Sequence, residues 1–526
     1  MNRRAGSRMD IRLSASVFVV LLALFLALLP LGYAVVAALL EPIPPSVPPV
    51  SWRRVLRLSA SSLNIASGTA LVATLLGVCT ALALDVIRVP GRRAFWTVTA
   101  IPAIVPPYVW AVAWIELDGI ANFTPSIFSP GGAIVVSTLG LYPVVAAAMA
   151  IGLRSLDAHL VEAATLNSSP TRTLARVVLP LVSPSIATGA LIVFLFALTG
   201  FAVPSLLRVE VLPVEVFARY SAFHDIRGGM LASLPLILLA AAALLAWYFA
   251  VWHGRELFRG ASSSPVSIAA NRSLRYAATA WCLGLTFIAV IAPLVRLAWS
   301  SLPLSSYAEA WSTAREELWT SASAGAVSAL CIVFVGFTAA CAIRTRPVCI
   351  GLLLAMLLPF VASAPALGIG MIQFWNHDGL RGWIYDGPGI IVIAWTARFL
   401  FVGMLAAIAV RASLDPALEE AASVSGAGWL RRQLLIVAPA CAPALAGAWA
   451  LCFLLAFGEA DVSVLVAPPG ATPLGVRVFG LMHYGPSSLV AALCILTAGL
   501  AIVAGGAAFW VLSRGRARPV GGRGRA

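Results

Sequence analysis

The sequence predicts an all-α polytopic membrane protein with about twelve transmembrane helices in two homologous, parallel six-helix halves. Of its 526 residues, 61% are apolar and only 11% are charged, whereas an average soluble protein has roughly 25% charged residues. Apolar runs recur along the whole chain, and a run of about 18 residues can cross a hydrocarbon layer about 30 Å thick. One polar segment recurs in the second half with unchanged spacing, which indicates an internal duplication.

The apolar runs place six helices in each half. In the first half we predict them near residues 13–40, 62–86, 94–115, 132–153, 185–207 and 229–251. In the second half we predict them near residues 275–299, 319–343, 348–373, 388–410, 441–466 and 486–512. The halves are then residues 1–251 (core about 61–250) and 275–526 (core about 319–512), joined by a polar cytoplasmic linker over 252–274. Because the first run is longer than a signal-peptide core, we expect a retained anchor.

The net charge of +14 comes from arginine, because the chain contains no lysine. With the N-terminus inside, most arginines fall in short cytoplasmic segments, which is the asymmetry of positive-inside insertion. We therefore predict a multi-pass protein of a bacterial inner membrane with both termini in the cytoplasm. Arg53, Arg54 and Arg57 are the exception, because they fall in the first outside loop. An interfacial helix would hold them there.

Composition disfavours several other functions. Basic and aromatic residues are not interleaved as on a nucleic-acid-binding surface, so we expect no nucleic-acid partner. Without lysine the chain cannot form a P-loop, whose lysine contacts nucleotide phosphates. The eight scattered cysteines form no CxxC pair and fit buried hydrophobic positions better than metal sites. His224 and His377 each precede an aspartate in a predicted outside loop, where surface residues are expected more often than metal ligands. We predict no metal site and no catalytic residues.

The recurring segment decides the architecture. The pattern S-L-D-x-x-L-x-E-A-A begins at Ser155 and again at Ser413, and a proline follows each copy downstream, at Pro180 and Pro439. The two copies lie 258 residues apart (413 − 155), about half the chain. A duplication on this scale, with both copies on one side of the membrane, indicates two parallel halves packed side by side.

The second copy, EAASVSGAGWLRRQLLIVAP, predicts a helix, a break and a second short helix. Asp415 is a good N-cap, and Pro416 suits the first helical position. Gly426 can adopt the left-handed conformation that ends a helix. Pro439 is then expected to stop the second helix before the chain re-enters the membrane.

This segment resembles the EAA loop of binding-protein-dependent ABC importer permeases, in which E-A-A is followed after three residues by glycine and then by a hydrophobic run that closes at proline. The positions that match are Glu162, Ala163, Ala164 and Pro180 in the first copy and Glu420, Ala421, Ala422, Gly426 and Pro439 in the second. The first copy is one residue shorter, with Asn167 or Ser168 in place of the glycine. Because Asn tolerates a left-handed turn, we expect the break to survive. The second copy departs at Ala438, where the family usually has leucine.

The resemblance implies partners. In this family the loop forms a coupling helix that docks in a cleft of a cytoplasmic ATPase, so two ATPase copies, an extracytoplasmic solute-binding protein and membrane lipid are implied. ATP would be bound by the partner, and this chain would hold no cofactor. A fused pair of halves, and the stretch from Gly458 to Gly485, resemble the ferric-iron and thiamine branch. Ferric iron is then the favoured cargo, with thiamine, an organophosphonate or a polyamine as alternatives.

Three charged residues fall within the predicted apolar helices, where placing an ion in hydrocarbon costs free energy. Glu459 and Asp461 fall inside the predicted eleventh helix and Arg398 inside the tenth. They would either line a translocation path or form a structural pair between helices. A different class of protein, a secondary transporter driven by an ion gradient, would also show twelve helices and a duplicated half. It would not need two EAA loops.

Overall fold

A computed structural model of the chain describes residues 18, 21–22, 24–26, 28–40, 50–121, 126–156, 158–252, 271–342, 346–412 and 414–515. Across these residues the regular structure is helical, without strands. Nine described helices are long and apolar enough to cross a membrane, or up to eleven if each of two bent pairs counts as one span. The chain is an all-α polytopic membrane protein, as the sequence predicted.

The helices of the two predicted halves follow one another in a similar order. In the first half they are α1 (Leu24–Leu40), α2 (Trp52–Val86), α3 (Arg92–Ile104), α4 (Pro107–Ile120), α5 (Pro130–Arg154), α6 (Ala158–Asn167), α7 (Thr171–Thr199), α8 (Ala202–Leu206), α9 (Leu212–Phe223) and α10 (Ile226–Ala250). In the second half they are α11 (Arg272–Ser300), α12 (Ser305–Cys341), α13 (Val348–Val361), α14 (Ala364–Trp375), α15 (Leu380–Tyr385), α16 (Gly389–Arg411), α17 (Pro416–Val424), α18 (Trp429–Phe457), α19 (Ser463–Val466), α20 (Leu474–Tyr484) and α21 (Ser487–Trp510). The start of the predicted anchor and most of the predicted linker lie outside the described residues.

The predicted third and ninth helices are not straight. The first is divided into α3 and α4, which meet at 96°, and the second into α13 and α14, which meet at 97°. Pro102 in α3 and Pro359 in α13 precede the two breaks, and proline removes a backbone hydrogen bond from a helix. Each pair is therefore a broken span or a re-entrant hairpin, where a single helix was predicted.

The interfacial helix predicted for the outer arginines is not present as a separate element. Arg53, Arg54 and Arg57 lie on the first turns of α2, which at 35 residues is about 52 Å long. This exceeds a hydrocarbon layer of about 30 Å, so part of the helix extends beyond it, and the three arginines favour its start. Arg54 Nε lies 3.0 Å from Glu215 Oε2 in α9, and Arg57 Nη2 lies 3.4 Å from Glu210 Oε2.

The first helix of each half packs against the other half. Phe25 of α1 meets Phe374 of α14 edge to face, with ring centroids 6.0 Å apart. Arg296 of α11 forms an ion pair of 3.0 Å with Glu116 of α4. These exchanged helices join the halves on both sides of the bundle.

Both EAA segments lie at the same end of the bundle. α11 starts beside the end of α2, where Trp281 Nε1 donates to Thr80 Oγ1 at 3.3 Å. α11 crosses to the other end of the bundle, and α12 runs back. Cys341, the last residue of α12, therefore packs with Val437 near the start of α18. We call this end the EAA face and the other end the opposite face.

Candidate functional site

The second EAA segment forms the predicted helix, break and helix. Asp415 caps α17, its Oδ1 accepting a hydrogen bond of 2.9 Å from the amide of Ala417. Gly426 ends the turn after α17 in the left-handed region, with φ of 81°. A non-glycine residue would be strained there. α18 then begins at Trp429.

The prediction that Pro439 stops a helix is wrong. α18 runs from Trp429 through Pro439 to Phe457. A π-helical turn over Gln433–Val437 lies just before the proline. An equivalent turn over Leu174–Val178 precedes Pro180 in α7. These turns already replace the ordinary i→i−4 hydrogen bonds, so each proline is accommodated without ending its helix.

The first EAA segment makes its break without a glycine. Asn167 is the last helical residue of α6, rather than the left-handed residue that the sequence suggested. The Ser168 hydroxyl donates to the carbonyl of Ala164 at 2.9 Å and lies 2.7 Å from Thr173 Oγ1. Pro170 opens the next helical turn. The side chains of Glu162 and Asn167 lie outside the described residues.

Each EAA helix has an apolar side chain that is almost fully exposed, and α17 also exposes 52% of Leu418. Leu166 of α6 is 86% exposed and Val424 of α17 is 90% exposed. They occupy equivalent positions, because 424 − 166 gives the same spacing of 258 as the repeat. Glu420 is exposed on the same helix as Val424. Both copies therefore leave an apolar side chain uncovered at the same position.

The alanine pairs divide between surface and interior in the same way in both copies. Ala163 and Ala421 are exposed, whereas Ala164 is half-buried and Ala422 is buried. One side of each EAA helix therefore packs on the bundle, and the other side stays open to a partner backbone.

Charged side chains attach α17 to the bundle. Arg411 Nη2 at the end of α16 lies 3.1 Å from Glu419 Oε2. The other carboxylate oxygen of Glu419 accepts from Gln433 Nε2 at 3.2 Å. A cavity of about 230 Å³ borders this network and is lined in part by Leu418, Val437 and both charged residues. The motif points to Glu420, but the neighbouring Glu419 makes these contacts.

The corresponding attachment of α6 is apolar. The positions equivalent to Arg411 and Glu419 are Leu153 (411 − 258) and Val161 (419 − 258). Both are buried in one apolar cluster, and Leu174, which replaces Gln433 in the one-residue-shorter copy, packs against it. Sequence reasoning missed this difference, although aligning the two copies beyond the motif would have shown it.

The three charged residues predicted within the membrane form one cluster. Arg398 Nε lies 3.1 Å from Glu459 Oε2, and Arg398 Nη2 lies 3.2 Å from Asp461 Oδ2. The three side chains are only 4%, 5% and 17% exposed in the order Arg398, Glu459, Asp461. Only Arg398 lies inside a long helix as predicted. α18 ends at Phe457, so the two acidic residues lie in the turn between α18 and α19.

Asp461 also reaches the other half. Its two carboxylate oxygens accept hydrogen bonds from the amides of Phe201 at 3.2 Å and Ala202 at 2.8 Å. The Phe201 ring is fully buried and contacts Phe217, with centroids 4.7 Å apart, and Phe479, with centroids 5.7 Å apart. In the described part of the chain no three His, Cys, Asp or Glu residues are grouped so that they could hold a metal ion.

Part of the chain is similar to a known protein family. Residues 73–259 match the family described as "Binding-protein-dependent transport system inner membrane component". The chain is 30% identical over 164 residues to the putrescine transport system permease PotI of Escherichia coli, an alignment covering 31% of this chain and 53%, about half, of that relative.

Two further relatives extend the comparison. A putative ferric transport system permease of Haemophilus influenzae, FbpB 1, is 24% identical over 448 residues, which cover 76% of this chain and 69% of the relative. A putative 2-aminoethylphosphonate transport system permease of Salmonella paratyphi A, PhnV, is 27% identical over 195 residues, covering 36% and 71%. Residues 73–259 thus resemble the inner-membrane components of binding-protein-dependent transport systems, and the relatives named here are permease proteins of such systems.

Proposed function

We propose that this chain is the translocation subunit of an ATP-driven importer, with the EAA face in the cytoplasm and a solute-binding protein delivering cargo to the opposite face. The observation that carries the proposal is the pair of exposed residues Leu166 and Val424 at equivalent positions of α6 and α17. Two equivalent apolar projections on one face fit two copies of the same partner. An ATPase in two copies is such a partner, and it would supply the ATP site that a chain without lysine cannot form.

Ferric iron is the cargo we favour. The alignment with the ferric permease FbpB 1 runs over 448 residues and therefore extends into both halves, whereas those with PotI and PhnV span 164 and 195 residues. A binding protein can capture the ion, so the permease needs no metal cage of its own. Thiamine, a polyamine and an aminophosphonate are the alternatives that an uptake assay must separate.

The experiment is uptake into vesicles that contain the chain with its genomic neighbour ATPase and binding protein. We expect ATP-dependent accumulation of radiolabelled Fe³⁺, and a loss of about tenfold or more for Leu166→Asp combined with Val424→Asp, because each carboxylate would be buried without a partner in the contact with the ATPase. Tyr276→Asp is the matched control, since Tyr276 is also strongly exposed near the EAA face but lies outside both segments.

The alternatives predict different results. Competition by unlabelled thiamine, putrescine or 2-aminoethylphosphonate instead of Fe³⁺ would reassign the cargo and leave the importer intact. Accumulation driven by an ion gradient, without ATPase and unaffected by the Leu166 and Val424 substitutions, would favour a secondary transporter and contradict the proposal.

A further inference from the structure

We propose that Asp461 is a latch between the two halves, which closes the translocation path by holding Phe201 in place as a plug. The inference rests on the proposed function, because a translocation path exists only in a transporter. Its test does not require an ATPase, a binding protein or a cargo. It gives the buried charge cluster a specific role in opening and closing the path.

The latch lies where the helix breaks of both halves converge. α7 ends at Thr199 before Gly200, and α18 ends at Phe457 before Gly458. The two glycines begin similar stretches, GFAVPSLL from Gly200 and GEADVSVL from Gly458, so the turns that follow are equivalent and are again 258 residues apart. A Cβ on Gly458 would lie only 3.2 Å from Cγ of Pro106, which stands at the break between α3 and α4. Helix breaks at membrane depth are tolerated where they are enclosed by protein or border a water-filled cavity, and we place the translocation path where these breaks converge.

Three phenylalanine rings pack together beside Asp461, where the two halves meet. α9 begins at Leu212 and α20 begins at Leu474. Phe217 and Phe479 each lie five residues after the start of their helix, so they are equivalent positions in the two halves. Both contact the buried ring of Phe201. A residue that sits between equivalent side chains from both halves lies close to the axis that relates them, where a shared path must run.

The hydrogen bonds of Asp461 to the first half can be broken without leaving a buried charge unpaired. Its links across the interface go to two backbone amides of the first half, at Phe201 and Ala202. Its charge partner Arg398 belongs to its own half, as does Glu459. If the halves separate, Asp461 keeps Arg398, so no buried carboxylate loses its counter-ion. An ion pair spanning the halves would leave two unpaired buried charges on opening, which is strongly unfavourable.

Only the second half contains the charged cluster. Subtracting 258 from Arg398, Glu459 and Asp461 gives Gly140, Phe201 and Val203. The first half thus supplies the plug at the position where the second half has an acidic residue. The latch is therefore one-sided: the second half holds and the first half is held.

A leak assay tests the latch without ATPase, binding protein or cargo. The purified chain is placed in phospholipid vesicles loaded with radioactive Rb⁺, and efflux is measured. We expect Asp461→Ala to raise efflux about tenfold or more, because it removes two charge-assisted hydrogen bonds, and Phe201→Ala to do the same. Val203→Ala, the equivalent position in the first half, should stay as tight as wild type. Vesicles with Asp461→Ala that hold Rb⁺ like wild type would overturn the latch, and tight vesicles with Phe201→Ala would overturn the plug.

Hydrogen exchange supplies a second readout that does not depend on leak. In Asp461→Ala the amides of Phe201 and Ala202 lose their acceptor, so we expect their exchange to accelerate about tenfold or more while α16 is unchanged. Unchanged exchange at these amides would contradict the latch. If Asp461→Ala leaks but the wild-type chain shows no ATP-driven uptake, the importer is rejected and the latch is kept. If wild-type uptake is normal but Asp461→Ala does not leak, the latch is rejected and the importer is kept.

Discussion

Around α6 the attachment to the membrane helices is made by Leu153, Val161 and Leu174, whereas around α17 the equivalent positions are Arg411, Glu419 and Gln433. Both segments have a helix, a break and a second helix with a π-helical turn before its proline. Apart from the break itself, the difference between them lies in the chemistry of the contact with the membrane helices.

The magnitudes indicate that α17 is held less firmly. Burying a Leu or Val side chain stabilises a structure by about 1.5–3 kcal/mol. The Arg411–Glu419 pair remains about one-fifth exposed, at 21% and 19%, and a partly exposed ion pair contributes about 0–1 kcal/mol. The cavity beside Glu419 removes further packing contacts. We infer that α6 is a rigid attachment and α17 an adjustable one.

The interface between the halves repeats the contrast. There too the second half carries charges, at Glu459 and Asp461, where the first half has Phe201 and Val203. Directional contacts can be exchanged during a movement, whereas apolar contacts hold in many orientations. In this duplicated protein, the second half supplies the directional contacts at both levels.

The largest effect should come from placing a charge in the apolar attachment. Val161→Glu buries a carboxylate against Leu153 and Leu174 without a partner, and an uncompensated buried charge destabilises by about 3–5 kcal/mol. We expect exchange of the α6 amides to accelerate by more than about a hundredfold, measured by hydrogen exchange on the purified chain. The triple variant Leu153→Arg, Val161→Glu, Leu174→Gln should recover most of the loss. No recovery would mean that the two attachments are not interchangeable.

A smaller effect is expected from the reverse replacement. Arg411→Leu with Glu419→Val and Gln433→Leu gives α17 the apolar set of α6, and we expect its amides to exchange up to about tenfold more slowly, since apolar burial outweighs the ion pair. In wild type, exchange of α17 should quicken as salt rises while α6 does not respond, because salt screens only the charged attachment. Equal exchange of α6 and α17 in wild type would remove the basis of the comparison.

The apolar runs were sufficient to predict the helical class, and the motif was sufficient to predict the helix and the break of the second EAA segment. Hydropathy reports composition along the chain and not direction, so each bent pair was predicted as one helix. Pro439 was misjudged because a π-helical turn that accommodates proline has no sequence signature of its own. The contact between Asp461 and the Phe201 amide joins residues 260 apart, and no local pattern encodes it.

The attachment of α17 could have been predicted in part. Charged residues at 411 and 419 stand opposite leucine and valine in the other copy, and three residues that change together from apolar to polar suggest a contact. Their geometry, and the choice of Glu419 over Glu420 for the inner position, depends on how the helix is rotated against the bundle. That rotation is set by tertiary packing, which the motif alone does not define.

The smallest effect concerns the two breaks. Gly426 has φ of 81°, and a Cβ there would meet nothing within 4 Å, so Gly426→Ala should cost only the left-handed conformation, about 1–2 kcal/mol. Gly426→Asn should cost less, because Asn tolerates this region. At the equivalent Ser168, alanine should cost a similar amount for a different reason, the loss of the hydroxyl's hydrogen bonds to Ala164 and Thr173. Local exchange at the end of each helix measures both. A loss at Ser168→Ala together with tolerance of Gly426→Ala would show that the glycine serves a partner rather than the turn, since the free chain would then fold the break without it.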